Sequence, residues 1–576
     1  MISLHSKSLN SARGWSVLFV LYAGFALLAA RGVYLQLVAT DYLQQQGKSR
    51  YLRDIEVAAT RGMILDRNGQ PLAVSTPVDS VWAQPQEFIE AKHHWPALAS
   101  LLQMSMAQLS DLSKKYASRE FMYIKRHIAP DLAEQVKALG IPGVGLMREY
   151  RRYYPAGPVT GHVVGFTNVD NQGQEGAELA FNTHLSGASG VKRVLRDRLG
   201  RVVERVERIQ PAVDGKDLFI TLDSRLQYLA YSHLKAAVRE HKAHSASAVI
   251  LNSRNGELLA MVNEPSFNPN ARGSLKSSSF RNRAVTDVLE PGSTIKPFTI
   301  AMALDSQKYG PDTRVDTSPG LYRVGRHTIR DVHDYGLLTV SRVVSKSSNV
   351  GAAKIAMSLP PERLWQMLRN VGFGVATGSG LPGEVSGSHQ VRSRWRPIEH
   401  ATLAFGYGLS ATPLQIARAF SCLASGGMLM PVTLLRGGSP SAKRVLPETV
   451  AHMVRDMLVE ASSERGTGKA AMIAQYRIAG KTGTVHKSTS TGYAENRYSS
   501  VFAGFAPATD PRLVMVVVVD DPVGGKYYGG EVAAPVFARV MSGALRLLNV
   551  PPDAADGSTI DEYLRRLEQE RQGVDA

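Results

Sequence analysis

Sixteen consecutive residues without a charge, positions 15–30, constrain this chain more than any other feature. Residues 1–14 carry Lys7 and Arg13 and no acid. Arg31 closes the run, and residues 33–39 are again mostly apolar. Sixteen residues are short of the ~20 that span a bilayer as a helix. With Arg31 snorkelling to the interface, residues 15–39 reach that length. The basic flank predicts a cytoplasmic tail at 1–14, one transmembrane helix at 15–39, and everything after about residue 40 outside. The alternative is a cleaved signal peptide. Its small-x-small site is missing, because Leu28 occupies the upstream small position, so an uncleaved anchor is the reading. No second apolar run of this length follows, which predicts a single crossing.

The rest of the 576 residues carries enough apolar matter, 44% of the whole chain, to bury real cores, so disorder is excluded. At ~150 residues per domain the length allows about three or four domains. A disulfide scaffold is excluded too: Cys422 is the only cysteine and reads as an inert core thiol. The net charge of +17 is scattered rather than gathered on a stripe. No zinc-finger spacing, RNA-binding aromatic pair or basic arm accompanies it, so no nucleic acid is expected and an anionic envelope or membrane surface is.

Residues 40–60 read as a polar helical exit from the membrane, and Asn68-Gly69 as a hairpin turn between apolar stretches. Residues 86–140 read as helical, 142–173 as loop-rich, and 194–212 as strands returning to that region. Asp223 or Ser224 is placed to cap a helix running to about 241. Residues 246–252 and 257–262, joined through Asn255-Gly256, predict a hairpin of an antiparallel sheet. The run 513–519 predicts a central strand of that sheet, and 530–548 a closing helix. The tail after Pro551 is polar and reads as loose.

Three short elements carry chemistry, and only together. Ser293 and Lys296 in Glu-Pro-Gly-Ser-Thr-Ile-Lys lie on one helical face if the serine opens the helix. A neutral lysine amine there accepts the hydroxyl proton as the serine attacks a carbonyl. The same spacing occurs at Ser189/Lys192 and Ser232/Lys235, where it reads as surface; the Pro-Gly reversal singles out Ser293. Ser347 and Asn349, in Lys-Ser-Ser-Asn, offer a proton relay and an amide to hold a substrate amide. Lys481-Thr482-Gly483-Thr484 reads as an edge strand lining a cleft. Lys481 brings positive charge, Thr482 and Thr484 grip a carboxylate, and Gly483 admits a close ligand. A second ammonium also depresses the pKa of Lys296.

Ser-x-x-Lys, Ser-x-Asn and Lys-Thr-Gly in this order form the signature of penicillin-binding proteins and serine β-lactamases. Residues 281–297 resemble the division-specific class B penicillin-binding proteins, the penicillin-binding protein 3 type. Arg-Gly-Val-Tyr-Leu-Gln at 31–36, Arg-Gly-Met-Ile-Leu-Asp-Arg-Asn-Gly at 61–69 and Glu-Gly-Ala-Glu at 175–178 resemble that class's N-terminal signatures. Residues 405–415 and 528–537 resemble its later landmarks. The likeness runs from about 15 to about 548.

The resemblance implies an α+β multidomain protein. A β-rich pedestal at 40–220 would serve dimerisation or partner docking. A transpeptidase domain at 221–550 would hold a central antiparallel sheet flanked by helices, as in serine β-lactamases, ahead of a polar tail at 551–576. It further implies a D,D-transpeptidase in which Ser293 attacks the D-Ala-D-Ala bond of a peptidoglycan stem peptide, releases D-Ala and passes the acyl group to a neighbouring amine. Lys296 would be the base, Ser347 the relay and Asn349 a substrate contact. Lys481, Thr482 and Thr484 would hold the terminal carboxylate, with the Ser293 and Thr484 N–H groups as oxyanion donors. β-Lactams would acylate Ser293. No cofactor or metal is implied. The implied partners are lipid-linked nascent glycan, a septal glycan polymerase and other division proteins. The implied location is the bacterial inner membrane at the septum, with the catalytic domain periplasmic.

Other motifs are set aside. Residues 465–469 lack the upstream glycine and the Ser/Thr of a phosphate loop. Residues 372–378 have the wrong spacing for a dinucleotide fingerprint. His93-His94 and His241/His244 have no third metal ligand in view, and His333-Asp334 reads as structural. Tyr498, Tyr527 and Tyr528 are candidates for the cleft wall. A D,D-carboxypeptidase, a β-lactamase, a bifunctional enzyme with a glycosyltransferase domain, and a non-catalytic β-lactam receptor or division scaffold are the competing functions. The anchor and long N-terminal segment disfavour a β-lactamase, and residues 40–220 hold no acidic glycosyltransferase motifs.

Overall fold

Most of the apolar run lies in helix α1 (Ser11–Val33), continued by a π-helical turn at Tyr34–Val38. Among the described residues Arg13–Val38 is the one helix long and apolar enough to cross a membrane. Its 26 residues measure about 39 Å at helical rise, more than the hydrocarbon core requires. Trp15 is 73% exposed and Leu27 75%. The computed structural model describes residues 11–42, 52–196, 202–273, 277–389, 395–438, 441–489 and 492–554. The expected tail lies outside them from residue 555 on.

The chain gathers into two compact units that share it by turns. One comprises Met1–Thr60, Pro77–Tyr150 and Gly187–Asp214, the other Arg61–Thr76, Arg151–Ser186 and Gly215–Ala576.

In the first unit, Leu52–Val57, Gly190–Arg196 and Val202–Gln210 form an antiparallel sheet. The helical exit expected through residue 60 is corrected here, since 52–57 is a strand. The helical reading of 86–140 holds for Pro85–Glu90, Trp95–Leu102, Met106–Lys115 and Pro130–Ala138 but is interrupted by the strand Met122–Ile128. Phe88, Trp95, Leu98, Leu109, Ile124 and Val136 share one core.

The second unit begins with the expected hairpin turn, in which Asp66 accepts the Asn68 and Gln70 N–H groups, each at 2.8 Å. The other oxygen of Asp66 accepts the Ser224 hydroxyl at 2.7 Å, tying the turn to helix α2 (Ser224–Glu240), whose N-cap is Asp223. Arg61 and Glu178, two signature residues far apart in sequence, form a buried ion pair at 2.7 Å. Arg152 closes on the other oxygen of Glu178 at 2.6 Å, and Glu178 is wholly buried. Arg61 also donates to Asn182 and Ser186, and Arg152 to Ser75. Removing one partner from such a cluster costs about 3–5 kcal/mol, because the charge left behind stays buried. Among the described residues, Arg61 and Glu178 make no hydrogen bond or ion pair to the three elements singled out in the sequence.

The main sheet uses strands β1 (Ser245–Asn252) and β2 (Leu258–Glu264), paired as the expected hairpin. Helix α3 (Lys296–Asp305), helix α4 (Asn349–Met357), helix α5 (Pro413–Ala424) and helix α6 (Glu448–Ala461) follow. Strands β3 (Ala479–Thr489), β4 (Gly492–Ala506) and β5 (Leu513–Asp520) complete the antiparallel sheet in the order β2-β1-β5-β4-β3, before helix α7 (Gly529–Leu547). The apolar run 513–519 is unbroken because both faces of β5 are covered. Met515, Val517 and Val519 enter a core with α2 and α7 residues such as Leu234 and Phe537. Val514, Val516 and Val518 enter the opposite core with Phe298 of α3 and Phe420 of α5. Cys422 of α5 is buried there, and burial pushes its thiol up to about 12, so it is an inert core residue.

Candidate active site

Strand β3 lies at the sheet edge, as the Lys-Thr-Gly element requires, so one side of it is free of strand partners. The turn before α3 seats against it. Gly292 has φ +53°, and a Cβ there would lie 2.5 Å from Val485, so only glycine allows this reversal. Gly483 also serves close approach, but to the protein itself: a Cβ on it would meet Thr294 at 3.1 Å and the Pro291 carbonyl at 3.2 Å. Ser293 follows in a 3-10 turn, Gly292–Ile295, that runs on into α3. It is half-buried, and among the described residues its hydroxyl has no hydrogen-bond partner.

One turn on, Lys296 is fully buried. Its side-chain nitrogen donates to the Asn349 side-chain oxygen at 2.8 Å, to the Ser347 hydroxyl at 3.1 Å and to the Ser347 carbonyl. Lys481, also fully buried, donates to the same Ser347 hydroxyl at 2.9 Å. Ser347 sits at φ +60°, a left-handed conformation costly for a residue with a Cβ and common where a site dictates the backbone. Two amines thus converge on one hydroxyl. Burial holds Lys296 well below the ordinary lysine range, and the neighbouring Lys481 lowers it further against the opposing pull of Asp331. Burial alone brings Lys481 down to about 7.

The two threonines of the element are already oriented. Thr484 Oγ1 accepts the Gly529 N–H at 2.9 Å, which leaves its own proton to donate. Thr482 shares a hydrogen bond of 2.8 Å with the Thr467 hydroxyl. All eight residues singled out in the sequence are therefore brought to one place.

Two residues escaped the sequence reading. Thr467 lies in the rejected phosphate-loop look-alike, which the structure lays against β3; nothing local marks it. Asp331 lies two residues before the His333-Asp334 pair that drew attention, while His333 and Asp334 themselves are exposed. Asp331 accepts the Asn349 and Val350 N–H groups through one oxygen and the Ser348 hydroxyl through the other. A carboxylate at the N-terminus of α4 complements the helix dipole and pins the Ser347–Asn349 loop. We expect Asp331→Ala to slow acylation by penicillin on the order of 10–100-fold, the scale of a small misplacement of catalytic groups. Stopped-flow acylation kinetics check this, and an unchanged rate would show that the loop holds its own shape.

The remaining candidates sort simply. Ser232 and Lys235 lie on α2 and bond to Leu229 and Tyr231, away from the site. Among the described residues no cluster of His, Cys, Asp and Glu is placed to hold a metal. Tyr498 and Tyr527 stack at 4.2 Å, and Tyr528 joins them at 4.5 Å.

A half-buried serine, a buried amine one turn later and a second amine sharing its relay hydroxyl define a serine acyl-transfer enzyme. Residues 246–542 match the family described as the penicillin binding protein transpeptidase domain, and residues 56–220 the penicillin-binding protein dimerisation domain. The chain belongs to the class B penicillin-binding proteins. It is 42% identical to the peptidoglycan D,D-transpeptidase FtsI of Escherichia coli K12, over 95% of this chain and 94% of that one. The transpeptidase domain of Burkholderia pseudomallei penicillin-binding protein 3 is 41% identical, with TM-score 0.53, covering 58% of this chain and 97% of that one. Penicillin-binding protein 3 of Mycobacterium tuberculosis, solved with aztreonam, is 27% identical with TM-score 0.67, covering 86% and 98%.

Proposed function

We propose that this protein is a peptidoglycan D,D-transpeptidase working through a Ser293 acyl-enzyme. The observation that carries it is the convergence of Lys296 and Lys481 on the Ser347 hydroxyl, beside the turn that presents Ser293. Ser293 Oγ attacks the carbonyl between two terminal D-alanines while Lys296 takes its proton. The amide C–N bond breaks, an ester forms, and the proton returns through Ser347 to the departing D-Ala amine. A neighbouring stem's amine then attacks the ester; a new amide forms and the proton goes back to Ser293 Oγ. Asn349 holds the substrate amide. Lys481, Thr482 and Thr484 receive the terminal carboxylate, Gly483 keeps the strand close, and the Ser293 and Thr484 N–H groups face the oxyanion. β-Lactams enter the first step and stall as the ester.

Residues 15–39 anchor the protein in the inner membrane with the N-terminus inside, and residues 221–550 work in the periplasm at the division septum. Residues 40–220 form the pedestal that docks a septal glycan polymerase and other division proteins, near the lipid-linked glycan they extend. The test is mass spectrometry of the full chain after benzylpenicillin. One adduct on the peptide holding Ser293 is the expected result, and an adduct elsewhere, or none, overturns the assignment.

A further inference from the structure

Glu290 stands three residues before Ser293 and has no part in the chemistry just described. One of its oxygens accepts two hydrogen bonds, from the Gly408 N–H at 2.9 Å and from the Tyr493 hydroxyl at 3.1 Å. The other oxygen is buried and has no partner among the described residues. Gly408 belongs to the loop that flanks the nucleophile turn: Leu289 and Ala411 exchange both backbone hydrogen bonds, at 3.0 and 2.9 Å, and Gly292 donates to the Gly406 carbonyl at 3.2 Å. Tyr493 stands near the start of β4, beside the end of β3, paired with Ser488. Tyr407, in the 406–411 loop, meets Tyr493 edge-on at 5.5 Å. The carboxyl is thus the point where the Ser293 turn, the 406–411 loop and the β3–β4 hairpin are joined.

What lies beside this junction makes it matter. A cavity of about 470 Å³ lies beside it, lined by Glu290 and Gly408 and by Val485 and His486 of β3.

We propose that Glu290 is a positioning residue that clasps the nucleophile turn to the hairpin and so sets the spacing between Ser293 and Thr484. This rests on the assignment of Ser293 as nucleophile and Thr484 as its oxyanion partner. The bonding pattern also says which chemistry the position needs. One oxygen does all the accepting, so a glutamine can keep both hydrogen bonds with its carbonyl oxygen and put its amide where the partnerless oxygen now lies. The clasp needs an acceptor and not a charge.

The test is the acylation of Glu290→Ala, Glu290→Gln, Tyr493→Phe and the Ala/Phe double variant by a chromogenic cephalosporin, resolved into a saturating rate constant and an apparent affinity. Glu290→Ala should lower the saturating rate constant about 30-fold and leave apparent affinity within about threefold, the signature of misplaced reacting groups. Tyr493→Phe should lower it by about fivefold, for one lost hydrogen bond. Glu290→Gln should stay within about threefold of wild type, and the double variant should be no slower than Glu290→Ala, because the two side chains form one device. Tyr493→Phe removes only a hydroxyl from an exposed side chain, so it remains informative if Glu290→Ala fails to fold. Wild-type rates in both Tyr493→Phe and Glu290→Ala overturn the clasp. So does a Gln variant as slow as the Ala variant, or losses that multiply in the double variant. Failure of the nucleophile assignment looks different, since labelling would then persist without Ser293.

Discussion

Ser293→Ala should bind no fluorescent penicillin covalently and cross-link no stem peptides, a loss on the order of 10⁶-fold, as when a nucleophile that acts as a unit with its base is removed. The folded chain should hardly notice. Ser293 is half-buried with no hydrogen-bond partner among the described residues, so its loss falls within about ±0.5 kcal/mol of stability. Gel labelling, a cross-linking assay and a thermal melt on the same preparation read all three. A labelled band in the variant would remove Ser293 from the role assigned to it.

Lys296→Ala should lower the acylation rate constant about 10²–10⁴-fold, the range for a lost general base. Lys296→Arg is the sharper experiment. It keeps a cation beside Ser347 and Asn349, but a guanidinium stays protonated and cannot accept a proton. If Lys296 merely supplied charge, arginine would rescue; as the base, it should leave the enzyme nearly as slow as alanine does. The pH dependence follows from the same depression. A lysine whose pKa is lowered is neutral above that pKa and protonated below it, so the wild-type rate should fall on acidification as the coupled pair gains its protons. Lys481, held down to about 7 by burial, contributes one step of that titration. Arginine rescue, or a rate that rises on acidification through that step, would assign the base elsewhere.

How much of this was legible beforehand depended on whether the signal was local. Asp223 announces a helix because its cap is made within two residues, and the run 513–519 announces a buried strand because both its faces are covered. The three catalytic elements were readable because their order is itself information. By contrast, the strand Leu52–Val57 pairs with residues 190–195, and nothing near residue 52 reports that partner. Met122–Ile128 was absorbed into its helical neighbours for the same reason, since it pairs with β residues at 79–83. Arg61 and Glu178 could be recognised as signatures, but only folding shows that they are one ion pair. Asp331, Thr467 and the Glu290–Tyr493 contact gave no warning at all. Each is a single polar side chain whose meaning lies in a residue many positions away.

The two amines that share one hydroxyl have a thermodynamic consequence. With both lysines held below their ordinary range, this pocket sheds cationic charge more readily than two solvent-exposed lysines would, and an anionic ligand arriving beside Lys481 favours taking a proton back from solution. Recognition of a carboxylate is then coupled to protonation: affinity weakens as the medium turns alkaline, while attack weakens as it turns acid. The enzyme is left with a bell-shaped working range set by the pair and by neither lysine alone.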